Sequence, residues 1–292
     1  MTRTPLSATS AYYRALPGVS AVRLALSAIE RLWPALAVRA ATRLFLTPLP
    51  PKWLHRRSHW ERQWRIERWP FEGASLTLYS QPSNGPVVLL SHGWGGHAGQ
   101  MRALAEALVA RGMHPVIVDM PGHGRSAGVG SSMPQFARAL EYVCARLAGQ
   151  GNVVQGLVAH SLGATAAAYA AGHALPVARL VLIAPAASPP AYTRMFAQVV
   201  GLSEQTRGGM QRRIEAREGV MMAQFEADAA GARIGQATLV VHDRGDTVNA
   251  FADGQAFVQA IEGARLYATA ALGHRGILKD DAVVAEISGF LG

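Results

Sequence analysis

The amino-acid sequence predicts an α/β fold: a mostly parallel central sheet with helices on both faces, a short helical cap inserted late in the chain, and a helical extension ahead of the sheet. Three observations predict it. From residue 71 onward, short β-branched apolar runs alternate with segments of helical period, the pattern of parallel strands joined by crossover helices. One interval, 186–235, separates two strand patterns by far more chain than a single crossover needs. The first 70 residues differ in charge from everything after them, holding 12 Lys or Arg against 3 acids, whereas 71–292 hold 16 of each.

Taken in order, the extension comes first. Between 19 and 46, Val22, Ala25, Leu26, Ile29, Leu32, Trp33, Leu36, Ala40 and Leu44 recur at three- and four-residue steps, which predicts one or two amphipathic helices divided at Pro34 and ended by TPLPPK at 47–52. A stretch rich in Trp and Arg follows at 53–69, and SLTLYS then reads as a strand, so a boundary is expected near residue 70. Further strands are expected at 86–92, 114–120, 152–160, 178–185, 237–243 and 264–270. MRALAEALVARG, MPQFARALEYVCARLAG, SLGATAAAYAAGH, FADGQAFVQAIEG and a closing segment ending in ISGFLG read as helices. The interval 186–235, helical and Met-rich, reads as a cap or lid.

Composition excludes several classes. Half of the 292 residues are hydrophobic and 16% are charged, which suits an enzyme-sized globular body and neither a disordered nor a coiled-coil chain. No uncharged apolar run approaches the roughly 18 residues of a spanning helix, because Arg23, Glu30, Arg31, Arg39 and Arg43 interrupt the best candidate. The first 18 residues lack the apolar core and cleavage site of a secretory signal, so a cytoplasmic location is expected. The excess of basic residues in 19–46 points to peripheral contact with an inner membrane surface, while the Trp and Arg cluster carries no nucleic-acid motif and no nucleic acid is expected. The single cysteine, Cys144, lies on a helix pattern and reads as core packing.

Four segments carry chemistry. In LVAHSLGATAAAYA a strand meets a helix at Ser161, and a turn that sharp needs small residues two before and two after, here Ala159 and Gly163. In LLSHGWGGHAGQ a strand ends at His92-Gly93 and opens into a Gly-rich loop that can aim backbone amides at an oxyanion. VVHDRGDTVNAF supplies two acids, Asp243 and Asp246, after a strand, and ATAALGHRGIL places His274 in a loop after the last strand. These follow the chain order Ser, Asp, His, and a serine hydroxyl needs such a base, oriented by a carboxylate, to become a nucleophile.

The motifs resemble those of the α/β-hydrolase superfamily, with alanine replacing the first glycine of the nucleophile elbow. The resemblance covers 86–292 and implies a serine hydrolase, most simply an esterase acting on a small-molecule ester or other acyl compound. It implies Ser161 as nucleophile, His274 as base, and Asp246 as orienting acid with Asp243 as the alternative. It further implies the amides of Trp94 and Leu162 as oxyanion donors. Trp94 and His97 are candidates to line an acyl pocket, and Met195, Phe196 and Met222, with Met210, Met221 and Phe225, to wall it, though packing explains these equally. No cofactor is expected. His92, His97, Asp119 and His123 invite a metal reading, but turn chemistry already accounts for their separate loops, and DMPGHGRSAG reads as a structural turn.

Overall fold

In the computed structural model, residues 18–54, 59–81 and 83–292 are described; the opening 17 residues read above for a signal, and part of the Trp and Arg cluster, lie outside them. In chain order the elements are α1 (Val19–Leu32), α2 (Pro34–Phe45), β1 (Arg65–Phe71), β2 (Ala74–Ser80), β3 (Val87–Ser91), α3 (Arg102–Ala110), β4 (His114–Asp119), α4 (Met133–Gly149), β5 (Val154–His160), α5 (Leu162–Ala171), β6 (Arg179–Ile183), α6 (Pro189–Val200), α7 (Glu204–Glu218), α8 (Ala227–Gly231), β7 (Ala237–Asp243), α9 (Phe251–Ala260), β8 (Arg265–Thr269), α10 (Gly273–Gly276) and α11 (Asp281–Leu291). Contacts divide them into two units. One ends at Thr47 and resumes over Ser188–Ala223; the other is Pro48–Ala187 with Gln224–Gly292.

The second unit is built on one eight-stranded sheet in the order β1-β2-β4-β3-β5-β6-β7-β8. β1 and β2 are antiparallel to their neighbours and β3 to β8 run parallel. The parallel strands β3 to β7 are buried along nearly their whole length, which is why they read as continuous apolar runs, while β8 at the edge is only partly covered. Alternate residues serve opposite faces. Val88, Leu90, Ile117, Val158, Val181 and Val241 join a core with Leu104 and Leu108 of α3 and Ile287 and Leu291 of α11. α4 and α5 pack together with their apolar sides fully buried, and α4 holds Cys144 at 0% exposure, which pushes its thiol up to about 12. The cysteine is core, as its helical position predicts.

The order has its reversal beside β3: the chain passes from β3 to β4 on one side and returns to place β5 on the other. At such a point the connections leaving β3 and β5 diverge and open a crevice beyond the carboxyl ends of the strands.

β1 is an addition to the strands the sequence predicts, and it begins ahead of the boundary expected near residue 70. Its pattern is weak because it pairs with β2 alone, so Arg65, Glu67 and Arg68 are tolerated and only Trp69 and Phe71 are buried. Pro70 fits such an edge. The tryptophans around it pack within the unit: Trp60 stacks on Tyr79 at 4.2 Å and meets Trp64 edge-on at 4.9 Å, and the Arg146 guanidinium lies 4.6 Å from the Trp69 ring.

The first unit is helical, and it joins two segments that the sequence treats separately. Val22 and Leu26 of α1 pack with Val199 and Val200 of α6. Ala41, Phe45 and Leu46 pack with Phe196, Met210, Ile214 and Met222. Arg23 Nη1 donates to the carbonyls of Gln198 (2.9 Å) and Val199 (2.6 Å) near the end of α6, and Glu30 accepts from the Ser203 amide at 3.2 Å and from its hydroxyl. Trp33, at φ −144° and ψ 76°, separates α1 from α2, and Pro34 opens α2 where a missing N–H costs nothing.

Candidate active site

β5 runs into α5 through Ser161, whose φ of 56° and ψ of −127° form a left-handed turn that costs a non-glycine residue about 1–3 kcal/mol. The surroundings enforce it. The Ser161 N–H donates to Ile183 O at 2.8 Å. Ala159 is fully buried, and a Cβ on Gly163 would lie 2.3 Å from His92 O. Small residues at these two positions let the start of α5 sit against the end of β3, leaving the serine side chain at the crevice.

Ser161 Oγ lies 3.0 Å from His274 Nε2, and His274 Nδ1 lies 2.7 Å from Asp246 Oδ2. The carboxylate can only accept, so Nδ1 carries the proton and Nε2 presents its lone pair to the serine hydroxyl, which donates. Asp246 Oδ1 accepts the amides of Val248 (2.7 Å) and Asn249 (3.0 Å), while His242 Nε2 stands 3.5 Å from Oδ2. Burial pushes the Asp246 carboxyl up, but the hydrogen bonds from His242 and His274 outweigh it and hold the group well below the usual carboxylate range. Asp243 is engaged elsewhere: it accepts from Gly245 N (2.9 Å), Thr269 Oγ1 (2.8 Å) and Leu272 N (3.0 Å), tying β7 to the turn that bears His274. Of the two acids that the sequence offers, only Asp246 is hydrogen-bonded to His274.

On the other side of Ser161 runs the loop after β3. A Cβ on Gly93 would come within 2.7 Å of Ser161 Cβ and 3.3 Å of its Oγ, so only glycine brings backbone this near the serine. Trp94 follows it. Leu162 is the first residue of α5, where an amide has no acceptor within its own helix and the helix end is positive. Two buried histidines fix the loop. His92 Nδ1–H donates to Gly93 O (2.7 Å) and its Nε2 accepts from Met120 N (3.0 Å); His123 Nδ1–H donates to Pro121 O (2.8 Å) and its Nε2 accepts from Gly95 N (3.0 Å). Burial, aided by nearby His92, pushes His123 down to about 3, so it is a neutral strut.

The segment 82–217 matches the model of a family described as serine aminopeptidase, S33. Solved structures share the fold. A hydrolase from Pseudomonas aeruginosa is 23% identical, with 78% of this chain and 98% of that one covered and a TM-score of 0.61. For Est1E from Butyrivibrio proteoclasticus, with bound ferulic acid, the figures are 19%, 77%, 96% and 0.61. For a membrane phospholipase A, described as a bacterial virulence factor, they are 15%, 94%, 96% and 0.59. The fold is that of the α/β-hydrolases. No functionally curated protein matches its sequence.

Several residues of this chain hold the site without having been assigned to it by sequence. Asp119, fully buried, accepts from Tyr79 Oη (2.8 Å), Ala98 N (2.6 Å) and Arg125 N (2.7 Å), binding the loops after β3 and β4 to one carboxylate. His160 donates Nε2–H to His274 O at 2.9 Å, its ring 4.6 Å from that of His274, and burial pushes it down to about 3. The signal for both was present in the sequence, a polar residue at the buried end of an apolar strand, but it does not say which distant backbone group is met. His92, Asp119 and His123, which invited a metal reading, are spent on backbone and hydroxyl partners, and among the described residues no cluster of three or more His, Cys, Asp or Glu side chains is placed to hold an ion.

The remaining candidates divide. Trp94 is half-buried, its ring 5.3 Å from His123 and 6.4 Å from Phe136, and His97 is half-buried at the start of the turn leading to α3. Residues expected to wall the pocket also take part in packing of their own. Met210 is fully buried and Phe196 meets Phe45 edge-on at 5.2 Å, both in the helical unit's own core with Met222, while Phe225 is buried against Tyr169 at 4.0 Å. Apolar residues in an amphipathic segment satisfy each other first. Met195 is half-buried and Met221 is exposed.

Proposed function

We propose that this chain cleaves carboxylic esters through an acyl-enzyme on Ser161. The observation that carries the reading is the chain Ser161 Oγ, His274 Nε2, His274 Nδ1 and Asp246 Oδ2, joined at 3.0 and 2.7 Å with the tautomer set by the carboxylate. Ser161 Oγ attacks the ester carbonyl as His274 Nε2 takes its proton, and Asp246 stabilises the imidazolium. The carbonyl oxygen, now negative, is received by the amides of Trp94 and Leu162, each worth about a hundred- to a thousandfold in rate. Collapse expels the alkoxide, which takes the proton from His274. Water, deprotonated by the same nitrogen, then attacks the acyl-enzyme, and Ser161 is regenerated as the acid leaves. Trp94 and His97 are proposed to contact a small or medium acyl group.

The same machinery would serve a thioester, amide, lactone or carbon–carbon bond, or transfer the acyl group to an acceptor other than water. An ester is preferred to an amide because an alkoxide leaves more readily than an amine anion. The proposal includes a place of action, the cytoplasm at the inner surface of a membrane touched by residues 19–46. The likeness to the membrane phospholipase A favours this, since at 94% of this chain it includes part of the segment ahead of the sheet.

Hydrolysis of p-nitrophenyl esters of rising chain length by the native chain and by Ser161→Ala tests the reading. Turnover that disappears with the hydroxyl supports it, and the optimum length sizes the acyl pocket. A native chain that is inert but still labelled at Ser161 by a fluorophosphonate probe removes the ester and keeps the nucleophile; absence of both removes the catalytic assignment.

A further inference from the structure

We propose that the elbow between α1 and α2 is a docking surface for an anionic phospholipid bilayer. The inference deepens the peripheral reading above and is independent of the catalytic assignment. Its first support is an apolar surface where a helix should be polar. α1 buries Val22 and Leu26 against α6, yet its opposite face carries Ala21, Leu24, Ala25, Ala28 and Leu32, all exposed. A helix that is apolar on both faces is ordinarily covered on both. The stripe continues without interruption around the elbow, where Leu32, Trp33, Pro34, Ala35 and Leu36 are five consecutive uncharged residues, every one exposed; Leu24 stands at 76%, Leu32 at 64%, Trp33 at 60% and Leu36 at 48%. Single exposed leucines need no explanation, whereas a contiguous patch of them marks a surface that meets something.

The second support is charge, which selects the occupant. Arg31, Arg39 and Arg43 are exposed beside this patch. Among residues 18–54 the single acid is Glu30, and it is engaged with Ser203. A second copy of this chain seated symmetrically on the elbow would bring three arginines against three arginines, with no acid in the segment beyond the engaged Glu30 to relieve them. Lipid phosphates relieve all three. Trp33 at the corner has the amphipathic ring favoured at the level of the headgroups, and leucines on either side of it fit the shallow apolar layer beneath. No described helix is long and apolar enough to cross a bilayer, so the contact inferred is lateral, with α1 and the elbow lying in the interface and the arginines at phosphate level.

The experiment is co-sedimentation of the full chain, as Ser161→Ala so that lipid is not consumed, with vesicles of phosphatidylcholine alone or with one third phosphatidylglycerol. The expected result is binding to the anionic vesicles at low salt and little to the neutral ones. Arg31→Gln/Arg39→Gln/Arg43→Gln should weaken anionic binding by about a hundredfold, and Leu32→Ser/Trp33→Ser/Leu36→Ser by at least about tenfold on the transfer cost of those side chains. All six positions are exposed, so both variants should unfold thermally as the parent does, and in the native background they should turn over water-soluble esters unchanged. As a second readout, brominated acyl chains should quench a part of the tryptophan fluorescence that disappears in Trp33→Phe. No sedimentation of the parent with anionic vesicles at low salt overturns the proposal. So does binding that both variants leave unaltered, or a lipid-indifferent dimer in sedimentation velocity that Leu32→Ser/Trp33→Ser/Leu36→Ser dissociates.

Discussion

The two loops that flank Ser161 are held by similar groups used in different ways. On the side of the loop after β3, His92 and His123 each engage both ring nitrogens, and Asp119 takes three donors. On the side of His274, His160 and His242 are equally buried, yet each leaves Nδ1 without a hydrogen-bond partner. An unmet buried nitrogen costs on the order of 1–3 kcal/mol and natural chains keep few of them. The first side is therefore a satisfied scaffold whose task is to hold backbone still. The second accepts unmet polar atoms around an acid and a base, where dry surroundings strengthen the bond between Asp246 and His274. On the proposed function, placement falls to the first side and proton transfer to the second.

The comparison can be broken most sharply at the two acids. Asp246→Asn should lower kcat on a p-nitrophenyl ester by about 10⁴-fold by favouring the wrong tautomer of His274, whereas Asp243→Asn should act chiefly on stability, by about 2 kcal/mol in urea unfolding. The reverse pattern would exchange their roles. Next in size, Gly93→Ala puts a Cβ where Ser161 Cβ stands 2.7 Å away; displacing the loop should cost about 10²–10³-fold in kcat with KM moving less. A loss under tenfold would mean the loop takes no part in the reaction.

One buried histidine from each side also predicts a pH dependence. His123 and His160 are held down to about 3 by burial, whereas in the unfolded chain both protonate near 6.5. Between those values the unfolded state binds more protons, so stability is full above about pH 6.5 and is lost as the pH falls towards 3. Each histidine should remove about 2 kcal/mol between pH 6.5 and 5. Urea unfolding at several pH values, repeated on His123→Gln, would give a shallower slope in the variant; an unaltered slope would mean that His123 is not buried neutral. The smallest effect is expected at Lys52, whose Nζ donates to the carbonyls of Ser126 (2.7 Å) and Gly128 (2.5 Å). Lys52→Met should cost about 0.5–1 kcal/mol and leave kcat alone.

Much of this could be read from residue types and spacing. The parallel strands declare themselves as apolar runs because both faces are covered, and the elbow at Ser161 does so because its neighbours must be small. Residue type and spacing alone do not separate Asp246 from Asp243, because both follow the same strand; the family resemblance favours Asp246, and the positions of Thr269, Leu272 and His274, on another strand and loop, divide the two in space. β1 was illegible for the opposite reason to β3. As an edge strand it buries too little to develop a pattern. The pairing of the N-terminal helices with 188–223 was hidden as well, since an amphipathic face announces that it packs without naming what it packs on.

That hidden pairing and the position of β1 decide where this chain can be cut. Removing residues through 70, where the composition changes, would take six of the seven residues that pair with β2 and leave a bare row of amides and carbonyls on an apolar strand. Such a row recruits strands from other molecules, and the shortened protein would be expected to associate into insoluble material before its activity could be judged. Dissection at Thr47 leaves β1 in place, though it still divides α1 and α2 from the helices they cover. The stretch between those two points is a seal on the sheet, and solubility of the shortened chains, more than turnover, would reveal it.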